Sequence, residues 1–354
     1  MAVTGDPPGD VARLFAEERA HLIDALSALR SSDWPKPTPC PQWTILPLAC
    51  HLLGDDFSLL ARHRDQHLGT VAPLGSDEPA FIAWLDDLQM GWVQAARRLS
   101  PRLVVELLAW TAPQVVDLFQ SQDPLALSGH VSWAGPVPVW LDHARELSEY
   151  WIHRQQLRLA LGEAPDLRPE LVRPIPDGLR WSYPFRLEVV TAAAGDTVSI
   201  DISGPVSVMW HVVATPTGWE FRSQPGPRLV GELAMSTDEA WRLLTNNLPV
   251  YDAARLKLSG DDAIVDVLRR TRSIIGTPSK RWRERSIGPA SALQRSTARH
   301  QWRTFGSSTA NDQYAANQRR VGSNNSCRSA ARNQLMATST SAGVAVGVIS
   351  SEAR

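Results

Sequence analysis

The chain predicts an up-and-down bundle of long helices, then a smaller α+β domain, then a tail with no core of its own. Three observations carry this. Apolar residues recur at helical spacing as far as Leu161, with no strand-like alternation before residue 165. Alternating apolar and polar residues then appear, at Val198, Ile200 and Ile202 first. Beyond Gly276 all periodicity vanishes into Ser, Arg, Asn, Gln and Ala. The expected divisions are 1–163, 164–276 and 277–354.

The first helix spans 10–30, where Val11, Leu14, Phe15, Leu22, Leu26 and Leu29 form one stripe interrupted by Glu18. Trp34-Pro-Lys-Pro-Thr-Pro-Cys-Pro cannot be helical throughout and reads as a loop. Helices follow at about Ile45–His67, Glu78–Leu99 and Leu103–Gln120, the last kinked or broken at Pro113. After the turn-rich Ser132-Trp-Ala-Gly-Pro, a long helix runs from Pro138 to Leu161 and stops at Gly162. In the second domain a helix is expected near Pro169–Phe185, and a hairpin from Val208–Ala214 and Trp219–Arg222 around Thr-Pro-Thr-Gly. Ser236 and Glu239 form a capping box for a helix through Leu244. A short strand at Leu256–Leu258 and a helix at Asp261–Ile275 complete it.

A chain of 354 residues exceeds one ordinary core, and 43% hydrophobic with 21% charged residues is a globular balance. No apolar run reaches membrane-spanning length, and no basic-then-apolar leader opens the chain. Cys40, Cys50 and Cys327 are too few for a disulfide framework, so a reduced, cytoplasmic protein is expected. The net charge of −1 hides an asymmetry, because the segment from Thr277 carries twelve Lys/Arg against three Asp/Glu. Basic tracts are common and unspecific, so a disordered extension is favoured there over a nucleic-acid arm.

Glu149 and His153 stand one helical turn apart and leave the same face of their helix, with Arg145 and Gln156 beside them. A glutamate at the edge of a core needs a partner to offset lost hydration. His51 lies in the apolar run Ile-Leu-Pro-Leu-Ala-Cys-His-Leu-Leu, with Asp55 one turn on as an acceptor that could orient its ring. Two histidines and one carboxylate with an open fourth position suit a catalytic zinc site; iron(II), nickel and manganese remain alternatives. Spacing alone also fits a surface pair and a hydrogen-bonded core histidine. His63 and His67, among Arg62, Arg64 and Asp65, mark a solvated face.

Thr38-Pro-Cys-Pro-Gln-Trp-Thr-Ile with Ala49-Cys-His-Leu-Leu resembles the first signature of the mycothiol-dependent maleylpyruvate isomerase family, Cys-Pro-Gly-Trp-Thr-Val…Ala-His-Leu. Ala144-Arg-Glu-Leu-Ser-Glu-Tyr-Trp-Ile-His-Arg-Gln-Gln-Leu-Arg resembles its second. The resemblance covers about residues 10–275. It implies a DinB-like four-helix metal-binding bundle and a small sterol-carrier-like α+β domain. It also implies metal ligands at His51, Glu149 and His153, and mycothiol, an actinobacterial thiol, as cosubstrate. Gln42 and Pro47 depart from the pattern. So does Leu244-Thr-Asn-Asn247, where active isomerases of the family read Leu-Thr-Gly followed by an arginine suited to a dicarboxylic substrate.

The implied activity is a metal- and thiol-dependent transferase or isomerase acting on a small electrophile. Neither Cys40 nor Cys50 is needed as nucleophile. A hydrolase using metal-activated water, or a non-catalytic metal- and ligand-binding protein, are the alternatives.

Overall fold

The computed structural model describes residues 9–40, 43–70, 78–131, 134–248 and 250–273. The expected tail, 277–354, lies outside them. Five long helices come first: α1 (Val11–Ser27), α2 (Ile45–Leu59), α3 (Glu78–Ala96), α4 (Pro101–Gln120) and α5 (Val139–Ala160). Asp10 caps α1 by accepting from the Arg13 amide at 3.0 Å, and Ser100 caps α4, with Pro101 at its first position. A π-helical turn, Leu60–Arg64, extends α2. Helix α4 runs unbroken through Pro113. α1 packs on α4 and α5, and α2 on α3, α4 and α5. Phe15, Leu22, Leu52, Leu53, Leu108 and Tyr150 are buried where they meet.

Two short strands, β1 (Leu127–Val131) and β2 (Ala134–Pro138), pair antiparallel between α4 and α5. This corrects the expectation of no strand before residue 165. Their Gly, Ser and Pro content imitates a turn, and proline is tolerated at a sheet edge.

Prolines 174, 176 and 184 divide the expected helix at 169–185 into α6 (Pro169–Val172), α7 (Pro174–Leu179) and α8 (Ser182–Leu187). A five-stranded sheet follows: β3 (Asp196–Ser203), β4 (Val208–Thr215), β5 (Gly218–Arg222), β6 (Arg228–Ser236) and β7 (Lys257–Gly260). Its order is β5-β4-β3-β6-β7, with β3 and β6 parallel and every other pair antiparallel. One face buries Val198, Ile200, Ile202, Trp210, Val212 and Leu233. Helices α9 (Thr237–Leu244), α10 (Val250–Ala253) and α11 (Asp262–Arg270) accompany it, and the Ser236–Glu239 capping box opens α9.

Helix α5 joins the two parts of the molecule. The bundle lies on one side; on the other α7 packs against it, and its Trp151 meets Trp241 of α9 edge-on at 5.4 Å. A helix covered on all sides has no polar stripe. Its middle, Tyr150–Leu157, is accordingly buried throughout.

Candidate metal centre

Helices α2 and α5 bring His51, Glu149 and His153 together, with one donor atom from each lying within 4.8 Å of the others. Glu149 Oε1 is the hub, 3.1 Å from His51 Nε2 and 2.9 Å from His153 Nε2. The two histidine side chains are only 8% and 9% exposed, whereas the Glu149 side chain is 26% exposed, so the cluster opens on the carboxylate side. The Trp43 ring, 4.9 Å from that of His51, covers it from the proline-rich loop. The backbone of that loop is fixed by Thr38, whose amide and hydroxyl both donate to the Trp43 carbonyl, at 3.0 and 2.8 Å.

The hydrogen bonds behind the imidazoles fix which nitrogen carries the proton. Asn247 Nδ2 donates to the Thr245 carbonyl at 2.9 Å, and a carbonyl only accepts. Asn247 Oδ1 therefore faces Gln156, whose Nε2 donates to it at 2.8 Å. That leaves Gln156 Oε1 to accept from His153 Nδ1 at 2.7 Å and from the Cys40 thiol at 3.0 Å. Gln89 on α3 does the same for His51: its Nε2 donates to Asp55 Oδ1 at 3.0 Å, and its Oε1 accepts from His51 Nδ1 at 3.1 Å. Both Nδ1 atoms are donors, so the Nε2 atoms of neutral imidazoles offer lone pairs to Glu149.

Two lone pairs and a carboxylate at about 3 Å repel unless a cation lies among them. In the metal-free protein protons fill that role. Burial alone would lower the pKa of His153, but the Glu149 charge and the contact with Cys40 lift it well above the ordinary value. His51 is likewise raised against its burial, by Asp55 and Glu149. Burial favours a neutral Glu149, yet His153 and His51 pull its carboxyl below the usual range. The donor set, two imidazoles and one carboxylate with an amide behind each ring, is one that divalent zinc takes. One turn earlier on α5, burial and the charges of Asp55, Asp142 and Glu149 push Glu146 up to about 8 despite Arg145, so its carboxyl is largely protonated at neutral pH.

The structure corrects one sequence expectation here. Asp55 does not stand behind the His51 ring: Gln89 does, and Asp55 Oδ2 lies 3.2 Å from Nε2, on the side facing Glu149. Gln89 and the hydrogen-bonding role of Asn247 were invisible in the sequence, since their partners lie 38 and 91 residues away in the chain. Arg145 turns to Asp142 at 2.9 Å, and His63 and His67 are exposed, as expected. Replacing Gln156 by Leu should lower metal affinity about 10–100-fold with the fold intact, because it frees the His153 ring. Titration with a chromophoric chelator reads this, and unchanged affinity would refute the orienting role.

Residues 15–158 match the profile of the mycothiol maleylpyruvate isomerase N-terminal domain. A crystal structure of the mycothiol-dependent maleylpyruvate isomerase is 12% identical, covering 67% of this chain and 88% of its own, with a TM-score of 0.45. A structure of a histidine-to-alanine mutant of the mycothiol-dependent maleylpyruvate isomerase is 13% identical over 66% and 86%, with a TM-score of 0.43. No curated protein sequence matches the chain. Residues 15–158 are therefore a domain of the mycothiol maleylpyruvate isomerase N-terminal type.

Proposed function

We propose that the protein is a metal-dependent, mycothiol-dependent isomerase or S-transferase for a small electrophile, with zinc held by His51, Glu149 and His153. The observation that carries this is the convergence on Glu149 Oε1 of two Nε2 atoms whose Nδ1 atoms are both committed to side-chain amides, within a domain that matches the family's N-terminal profile. A divalent metal bound there supplies a Lewis acid that lowers the pKa of a thiol presented to its open position. The chain's own residues do the rest. Gln89 and Gln156 hold the two rings in register, and Trp43 keeps water from His51. The exposed edge of Glu149 leaves the thiol and substrate an approach.

The bundle is read as DinB-like and the part beyond residue 163 as a sterol-carrier-like α+β domain. The protein works in a reduced compartment, the cytoplasm, where Cys40 and Cys50 stay thiols. Asn247 occupies the place where the family pattern carries arginine, and its amide is committed to Gln156 and Thr245. Asn246 before it takes φ 60°, the left-handed conformation that glycine adopts freely, which accounts for the pattern's glycine. Without that guanidinium, a dicarboxylate loses its anchor, and an electrophile with fewer charges is the expected substrate.

Mycothiol at about 100 times its dissociation constant should stabilise the zinc-loaded protein by about 2.7 kcal/mol, and should leave a His51→Ala variant unmoved. Turnover of an electrophile panel should need metal and thiol together. Turnover with metal alone, indifferent to thiols, would point to a hydrolase instead; metal binding without thiol response or turnover would point to a binding protein.

A further inference from the structure

The groups around His51 Nε2 exceed what a three-donor centre needs. Gln89 binds His51 and Asp55 with the two ends of one amide, which fixes the His51 tautomer and the Asp55 rotamer together. Asp55 Oδ1 is consumed by that bond, and Oδ2 is left 3.2 Å from Nε2. Glu149 Oε1 stands 3.1 Å from the same nitrogen. An imidazole orienter belongs at Nδ1, and that place is already taken by Gln89. Once Nε2 gives up its proton to bind metal, a second carboxylate oxygen on the same side of this buried ring is an acceptor facing an acceptor, and a cation between them is what relieves it. Both oxygens thus lie close to the one nitrogen that would hold the ion.

We infer that Asp55 is a fourth protein donor to the metal, so that the resident centre has two imidazoles and two carboxylates. The inference rests on the reading that His51, Glu149 and His153 bind metal. Two carboxylates neutralise a divalent ion, which favours harder cations than a singly acidic site does and retains the ion in the absence of thiol. Gln89 would hold Asp55 in place beside a thiol approaching the site.

Cobalt(II) reports the donor set directly, through its visible ligand-field bands and X-ray absorption. Full-length protein, Asp55→Asn, Asp55→Ala and Gln156→Leu are each loaded with cobalt. The wild type is expected to show four protein donors, two of them carboxylate. Both Asp55 variants should shift the visible bands and bind cobalt at least about tenfold more weakly, and Asp55→Ala should also lose one oxygen donor from the metal. Gln156→Leu should weaken binding with the bands in place. The near-isosteric Asn variant carries the result if the Ala variant fails to fold. Bands and cobalt affinity unchanged in Asp55→Asn would overturn the inference and leave the three-donor centre standing. A wild type that takes up no cobalt or zinc would overturn both.

Discussion

Replacing His51 or His153 by alanine is expected to take bound zinc from about one equivalent per chain to about a tenth or less. Each removal deletes one of two nitrogen donors, whose rings are held by dedicated amides. Glu149→Gln should weaken binding less completely, since a neutral carbonyl oxygen still faces the ion. Elemental analysis of the purified variants measures this, and wild-type metal content in all three would remove the site. The pH dependence follows from the same geometry. In the metal-free protein both imidazoles have folded-state pKa values raised above the ordinary one. Their stabilising contribution is therefore full below about pH 6.5 and is lost as pH rises through the folded values. Metal binding runs the other way, because bare nitrogens bind the ion. The melting-temperature gap between zinc-loaded and metal-free protein should widen from about pH 6.5 upward. A gap independent of pH would contradict protons and metal sharing one place.

Asp56→Ala should cost about 3–5 kcal/mol, the loss expected when one partner of a buried ion pair is removed. Asp56 and Arg19 are 0% and 1% exposed and meet at 2.6 Å in the middle of the bundle. Tyr150 Oη donates to the other Asp56 oxygen at 2.5 Å, and the Thr111 hydroxyl donates to the first. The guanidinium also lies 4.5 Å over the Tyr150 ring and donates to the Leu108 carbonyl at 3.0 Å. Alanine would leave a buried cation without its counter-charge and return the two hydroxyls to backbone carbonyls alone. Glu17, paired with Arg13 at the exposed surface of α1, is the control, and Glu17→Gln should cost under about 1 kcal/mol. Equilibrium denaturation reads both. A loss below about 1 kcal/mol in Asp56→Ala would show that the network is solvated or replaceable.

The same contrast marks what was legible in the sequence. Apolar spacing located α1 to α4, and the Ser236–Glu239 box located α9, because caps and periodicity are local signals. Strand β6 escaped notice although it is central to the sheet. Gly231 and Glu232 break its alternation, and Ala234-Met-Ser before a capping box resembles a helix approach. Glu18 registered only as a flaw in a stripe. It is buried and paired with Arg154 at 2.6 and 2.8 Å, a partner 136 residues away. In the site, the i,i+4 spacing of Glu149 and His153 and the misplaced polarity of His51 were visible. Asp55 was visible too, but its side of the ring was not, because that depends on Gln89 arriving from α3. The tautomers depend in turn on Asn247, almost a hundred residues beyond the ligands.

Calorimetric titration of metal-free protein with zinc at neutral pH, repeated in two buffers of different ionisation enthalpy, tests the central claim most directly. Two raised imidazoles around a carboxylate imply about one zinc per chain, taken up with release of protons and lost together with it in His51→Ala. Zinc uptake without proton release, or uptake undiminished in His51→Ala, would contradict a centre built on His51, Glu149 and His153.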